Sequence, residues 1–174
     1  MTQPVVLIDR PSDLPTAPEG LRVVATSDYL TDPKSAGKGP VRIINLSRDL
    51  VYLGRGYYAS LLADARGHKV LPTAATILAL KDRGRVWTGV RAVERVLLRA
   101  LTRMKEAPEA SFSIDVYFGR TSDPRFARVA REAFDRFRAP ILRIKVTLDA
   151  TWGFYVRTVG QRTIDELWAD EHET

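Results

Sequence analysis

The run VRIINL at 41–46 constrains the fold of this chain more than any other stretch. Six residues dense in β-branched side chains are long enough for a buried strand and too short for a helix. The next residues narrow the choice. SRDLVYLGRG is polar and carries glycines, so it reads as a loop. YYASLLADAR at 57–66 reads as a helix with Tyr58, Leu61, Leu62 and Ala65 on its core face. Gly67 stands where a left-handed residue ends a helix. A short strand, Lys69–Leu71, is then stopped by Pro72, which has no amide proton to give a ladder. Strand, loop, helix and strand in close succession argue for a sheet with helices packed on it.

The flanking sequence extends this order. Val5–Ile8 and Arg22–Ala25 read as short strands, separated by a stretch broken at Pro11, Pro15 and Pro18. Ser27 caps a helical turn through Leu30, and Lys34–Pro40 reads as a mobile loop. Thr73 caps a helix over Ala74–Lys81 that Gly84 closes. Gly89–Lys105, capped by Thr88, is the longest helix expected, with Val90, Val93, Leu97, Leu101 and Met104 inward. Phe112, Ile114, Val116 and Phe118 alternate as one face of a strand. Asp123 and Pro124 open a helix near Arg125–Phe137, whose inner stripe is Phe126, Val129, Ala130, Ala133 and Phe137. Leu142, Ile144, Val146 and Leu148 alternate in the first arm of a hairpin, and Trp152–Val159 returns. Ile164–Trp168 makes a last short helix. The class is therefore α/β (α+β), a mixed β-sheet with about four packed helices and a C-terminal hairpin. At 174 residues one domain is expected. Residues 1–21 form the lead-in, 22–170 the domain and 171–174 an acidic tail.

Composition removes several function classes. There are no cysteines, which excludes disulfides and thiolate chemistry, and only two histidines, which supply little for metal binding or imidazole catalysis. No apolar run reaches the roughly 18–20 residues of a membrane span, and the amino end lacks the pattern of a signal peptide. A soluble cytoplasmic protein is expected. The formal charge of +6 is compatible with acidic or nucleic-acid partners without requiring them.

Two strand-to-helix loops are candidate sites. In Ser47–Ser60, Gly54 and Gly56 let the backbone approach a ligand. Arg48 and Arg55 could each grip a carboxylate or phosphate, and amides at a helix N-terminus favour anions. An ordinary connection with packed tyrosines and solvated arginines fits the same residues. Gly119–Pro124 has the same logic, with Arg120 as its cation. If the two strands lay parallel in one sheet, Arg48, Arg55 and Arg120 would converge on a shared edge. Arg91, Arg95, Arg99 and Arg103 form an i,i+4 ladder, either a docking face for an acidic partner or a solvated surface. His68 and His172 read as structural. No Walker A, GxGxxG, paired-histidine zinc motif or GxSxG is present, so neither a metal site nor catalytic residues are assigned.

Residues 41–72 resemble the RimK-like ATP-grasp N-terminal domain, an accessory domain that precedes RimK-like ATP-grasp ligases. The resemblance rests on Asn45, Leu46, Arg48, Tyr52, Leu53, Gly56, Tyr57, Tyr58, Ser60, Leu61, Leu62, Ala63, Ala65, Arg66, Gly67, His68 and Pro72. Ser27-Asp28-Tyr29-Leu30 upstream, and Tyr117-Phe118-Gly119-Arg120 with Asp123-Pro124 downstream, are similar to it as well. Leu50 and Gly54 depart from the family's aromatic and serine. The resemblance implies a non-catalytic substrate- or partner-recognition module of an ATP-grasp amidoligase system, acting in trans or cut from a longer ligase. ATP and magnesium would belong to the ligase domain, with no cofactor in this chain. Arg48, Arg55, Gly56, Tyr57, Tyr58, Ser60 and Arg120 would contact substrate or anion. Arg91, Arg95, Arg99 and Arg103 would face the ligase or an acidic acceptor protein. The alternative is a small basic nucleic-acid-binding protein, whose affinity would fall steeply with salt.

Overall fold

The computed structural model describes residues 4–106 and 108–172. The chain divides into two compact units, one of residues 1–78 and 163–174 and one of residues 79–162.

The first unit is built on four parallel strands, β1 (Val5–Ile8), β2 (Arg22–Ala25), β3 (Arg42–Asn45) and β4 (Lys69–Leu71), in the order β2-β1-β3-β4. Every residue of β1 is buried, as expected of a parallel strand flanked on both sides. Its register sets Val5 against Arg22 and Ile43, and β3 in turn sets Ile43 against Val70. A 3-10 turn, Pro11–Asp13, lies between β1 and β2. Helix α1 (Thr26–Thr31) connects β2 to β3, and α2 (Arg55–Ala65) connects β3 to β4. Val5, Leu7, Tyr29, Ile43, Ala59, Ala63 and Val70 belong to one core.

Helix α2 buries a different face from the expected one. Gly56, Ala59, Ser60 and Ala63 turn inward, whereas Tyr58, Leu61 and Ala65 are exposed and Leu62 is half-buried. Small side chains let the helix axis lie close to the sheet, and the bulky ones are left outside. The helix ends as expected. Gly67 has φ +71°, its amide donates to Asp64, and the His68 amide donates to Ala63. That pair of bonds is the Schellman closure.

In the second unit, α4 (Arg83–Leu101) and α5 (Ala127–Phe137) pack against an antiparallel sheet of β5 (Phe112–Tyr117), β6 (Ile141–Asp149) and β7 (Gly153–Gln161), ordered β5-β6-β7. The preceding helix, α3 (Ala74–Ala79), stops short of the expected Lys81, and α4 begins at Arg83 instead of Gly89. Gly84 and Gly89 are thus helical residues rather than boundaries. A Cβ at Gly89 would stand 2.8 Å from the Phe137 ring, so the glycine permits the close approach of α5 to α4. Leu97, Val116, Val129, Ala130, Ala133, Leu142 and Ile144 are fully buried in this core. Asp115 and Arg143 face each other across β5 and β6, joined by two hydrogen bonds of 2.6 and 2.7 Å. The β6–β7 register shifts between Lys145 and Val146, and the Val156 amide donates to a Glu94 carboxylate oxygen at 2.8 Å.

Strand β5 ends one residue before Phe118. Phe118 and Gly119 have φ +50° and +78°, while Tyr117 and Arg120 exchange backbone hydrogen bonds of 2.7 and 2.9 Å. Positive φ at both central residues is the geometry that reverses a twisted chain most tightly. Asp123 caps the next turn, Pro124–Phe126, as expected, accepting the Arg125 amide. Helix α6 (Ile164–His172) runs past the expected Trp168. The side chains of His172 and the acidic tail lie outside the described residues. Among the described residues, no helix is long and apolar enough to cross a membrane.

Candidate functional site

The order β2-β1-β3-β4 leaves β1 with a neighbour on each side that comes later in the chain. In open parallel sheets ligands gather at such a point, outside the carboxyl ends of the strands. Asp9 follows β1, Thr26 follows β2, and Ser47 and Arg48 follow β3.

These residues bond to one another. The Thr26 hydroxyl donates to the Ile8 carbonyl at 3.1 Å and lies 2.8 Å from the Ser47 hydroxyl. Ser47 donates through both its hydroxyl and its amide to Asn45 Oδ1, at 2.6 and 3.1 Å. Asn45 Nδ2 donates to the Gly56 carbonyl at 2.7 Å and to Ser60 Oγ at 2.9 Å, and Ser60 donates to the Pro72 carbonyl at 2.7 Å. Thr26, Asn45, Ser47 and Ser60 are all fully buried. The chain of bonds ties the ends of three strands to the first turns of α2. Ser60 thereby positions the loop and does not face solvent.

Arg48 is similarly engaged. Its Nε donates to Asp13 Oδ1 at 2.9 Å and its Nη2 reaches the same oxygen. Asp13 is fully buried and also accepts the Arg10 amide at 2.9 Å. The Arg48 amide donates to Asp9 Oδ2 at 2.8 Å. The Asp13 bond chiefly, with the fields of Asp165 and Asp9, raises the guanidinium pKa above its ordinary value. Asp9 Oδ1 and Asp165 Oδ1 are buried without a hydrogen-bond partner.

The N-terminus of α2 is likewise occupied from within. The Arg55 amide donates to Asp49 Oδ2 at 3.2 Å, and the Gly56 amide to the Asp49 carbonyl at 3.0 Å. Asp49 thus takes two of the amides on which an anion would rest. Gly54 and Gly56 serve this closure, since a Cβ at either would stand within 2.8 Å of the Asp49 carbonyl oxygen.

What the loop presents to solvent is apolar and aromatic. Val51, Tyr52, Leu53, Tyr58 and Leu61 are all exposed, Tyr52 by 62%. Tyr57 makes edge contacts with Tyr52 and Tyr58 at ring separations of 5.5 and 5.6 Å, giving a three-ring row. Leu53 sits at φ +65°, a conformation uncommon for a branched residue and of the kind held at functional loops. Arg55 is exposed at the same helix start. The sequence points to Tyr57 and Tyr58 but not to Tyr52, Leu53 or Leu61, although in the run YLGRGYY Tyr52 and Leu53 directly precede the glycine at the helix entry.

The expected shared edge does not form. Arg48 and Arg55 follow β3 in the parallel sheet, whereas Arg120 follows β5 in the separate antiparallel sheet. The premise of one sheet carrying both strands therefore fails. Arg120 is exposed beside the Phe118–Gly119 turn. Arg91, Arg95 and Arg99 lie exposed along α4, and Arg103 sits in the turn that follows it. Among the described residues, no three His, Asp or Glu side chains are grouped so as to hold a metal ion.

His68 is buried and shares a 2.9 Å hydrogen bond with the Tyr29 hydroxyl through Nδ1. Arg66 lies over the Tyr29 ring at 4.8 Å and donates to the Tyr29 carbonyl at 2.7 Å. Burial, reinforced by Arg66, lowers the His68 pKa from its ordinary 6.5. In the unfolded chain the imidazole takes up its proton near 6.5, and in the fold only at lower pH. Stability is therefore expected to decline as pH falls through 6.5. His68→Gln should flatten that part of a stability–pH profile followed by thermal melts; an unchanged slope would assign it to another group.

Residues 26–174 match the family model described as RimK-like ATPgrasp N-terminal domain. A RimK domain ATP-grasp protein from Sphaerobacter thermophilus has a similar fold, with a TM-score of 0.57 at 14% identity, over 97% of this chain and 95% of that one. A protein from Archaeoglobus fulgidus described under the ATP-grasp superfamily aligns over 97% of this chain and 88% of its own, with a TM-score of 0.48 and 10% identity. No curated protein matches the sequence. The family match takes in α1, the buried Asn45–Ser60 network and the exposed tyrosine row, and on that match the chain belongs to the RimK-like ATP-grasp N-terminal domain family.

Proposed function

We propose that this chain is a non-catalytic recognition module of an ATP-grasp amidoligase system, and that it meets the ligase or its substrate through the tyrosine row of the β3–α2 loop. The observation that carries this reading is the contrast within one loop. Its inner side is locked by buried hydrogen bonds, and its outer side holds Tyr52, Leu53, Tyr58 and Leu61 in water. A contiguous apolar patch held rigidly at the surface is typical of an interaction site. Tyrosines suit such a site because they add large contact area at little cost in side-chain entropy. Arg55 supplies a charge at its rim.

In this reading ATP and magnesium act in the ligase domain, which activates a carboxylate as an acyl phosphate before an amine attacks it. This chain supplies binding and orientation. Arg55, Tyr57 and Tyr58 form the proposed contact surface. Arg48, Gly56 and Ser60 hold that surface in place, and Arg120 belongs to a separate contact loop.

The test is binding of the intact chain to a separately expressed RimK-like ATP-grasp ligase domain, measured by calorimetry. Tyr52→Ser/Tyr58→Ser is expected to weaken association by about tenfold or more. Circular dichroism should be unchanged, because both side chains are exposed. Association indifferent to the pair would remove the proposed surface.

The nucleic-acid reading draws on the arginines of α4. No aromatic residue interrupts the stretch 91–103, so the row offers no stacking platform for single strands.

A further inference from the structure

The second unit carries a feature separate from the tyrosine row. An open groove of about 1160 Å³ runs between the end of α4 and the start of α5. Its walls include Val96, Ala100 and Met104, which are partly buried against the core and leave an apolar strip. Cations stand above that strip on both sides.

Two of the cations are neutralised within the chain. Arg125 is paired with Asp123, and Arg131 lies 3.5 Å from Asp135. The groove's Glu132 is held by Arg136 at 2.9 Å. Among the described residues, Arg99, Arg103, Lys105 and Arg128 have no acidic partner, and the one remaining carboxylate of the groove is that of Glu106. Four unpaired cations converge on a strip that is itself apolar.

We propose that this groove binds an acidic peptide segment whose carboxylates alternate with apolar side chains. Arg99, in the last turn of α4, and Arg103, in the turn that follows, line the same groove. Alternate residues of an extended peptide are separated by about 6.6 Å. In the proposed complex, carboxylates on one edge of such a peptide meet Arg99 and Arg103, while the intervening side chains reach Val96, Ala100 and Met104. The same walls suit a nucleic acid poorly. No aromatic side chain lines the groove for stacking.

The experiment is fluorescence anisotropy of the intact chain with a labelled dozen-residue peptide of alternating Glu and Leu. Matched probes carry Gln in place of Glu, or Ser in place of Leu. Binding of the Glu–Leu peptide is expected, with each matched probe weaker by about tenfold. Arg99→Glu/Arg128→Glu should cost about tenfold or more, and Arg99→Gln/Arg128→Gln less, with helix content preserved in both because the side chains are exposed. No binding of the Glu–Leu peptide, or binding untouched by either double variant, would overturn the proposal. So would tighter binding of a short duplex DNA or single-stranded RNA to the same residues. Tyr52→Ser/Tyr58→Ser should leave peptide binding intact, so failure here and failure of the recognition reading are separable.

Discussion

Arg48→Ala is expected to lower the unfolding free energy by about 3 kcal/mol, the lower end of what removing one partner of a buried ion pair costs. The argument turns on Asp13 more than on Arg48. Asp13 has no exposed surface, and its carboxylate is met by the Arg48 guanidinium and the Arg10 amide. Without the guanidinium, a charged group stays in a medium that solvates it poorly, with one backbone donor to compensate. The Arg48 side chain retains 27% exposure, so water entering behind the truncated side chain limits the loss. Asp13→Asn in the Arg48→Ala background should recover part of it, because the stranded charge is then removed. Urea denaturation of the parent chain and the two variants decides the matter. A single-variant loss below about 1 kcal/mol would show that the pair behaves as an exposed one.

Asn45→Leu is expected to cost as much or more, about 3–4 kcal/mol. Leucine matches asparagine in shape but replaces neither its acceptor nor its two donors. The Ser47 amide and hydroxyl, the Gly56 carbonyl and Ser60 Oγ all lose their bond to it in the interior. Each buried polar group left unmatched costs roughly 1–3 kcal/mol, and re-pairing among the neighbours recovers part of the sum. Thr26→Val, at the far end of the same chain of bonds, should cost only about 1 kcal/mol, since the Ile8 carbonyl gives up one bond while the Ser47 hydroxyl keeps Asn45 Oδ1. Equal losses in the two variants would contradict the central place of Asn45. Hydrogen exchange of the first α2 turn should rise in Asn45→Leu before global unfolding does.

The strands were legible because their signals are local. β-branched runs and period-two alternation located Val5–Ile8, Lys69–Leu71 and the β6–β7 hairpin almost to the residue. Helix boundaries were less so. Gly84 and Gly89 look like breaks, yet the advantage of a missing side chain at Gly89 lies in a ring from α5 that no local pattern reveals. The inward face of α2 was misjudged for a related reason. Hydrophobic size suggested Tyr58 and Leu61, but the distance between helix and sheet selects Ala59 and Ala63. The division into two sheets was hidden because alternation does not say which strand a strand will meet. The loop between β3 and α2 could be flagged as a site from its glycines and arginines. That Arg48 would be taken by Asp13, thirty-five residues away, could not.

The bond from the Val156 amide to Glu94 has a consequence for the surface. A helix lying on a sheet can roll about its own axis with little change in buried area, because greasy contacts slide. A single directional bond from its underside removes that freedom, much as a key fixes a shaft in its hub. Arg95 is the next residue after Glu94, and Arg91 and Arg99 lie one turn either side of Arg95, so all three inherit their angular position from this one carboxylate. The orientation of the charged side of α4 is thus decided by a half-buried carboxylate turned toward the sheet.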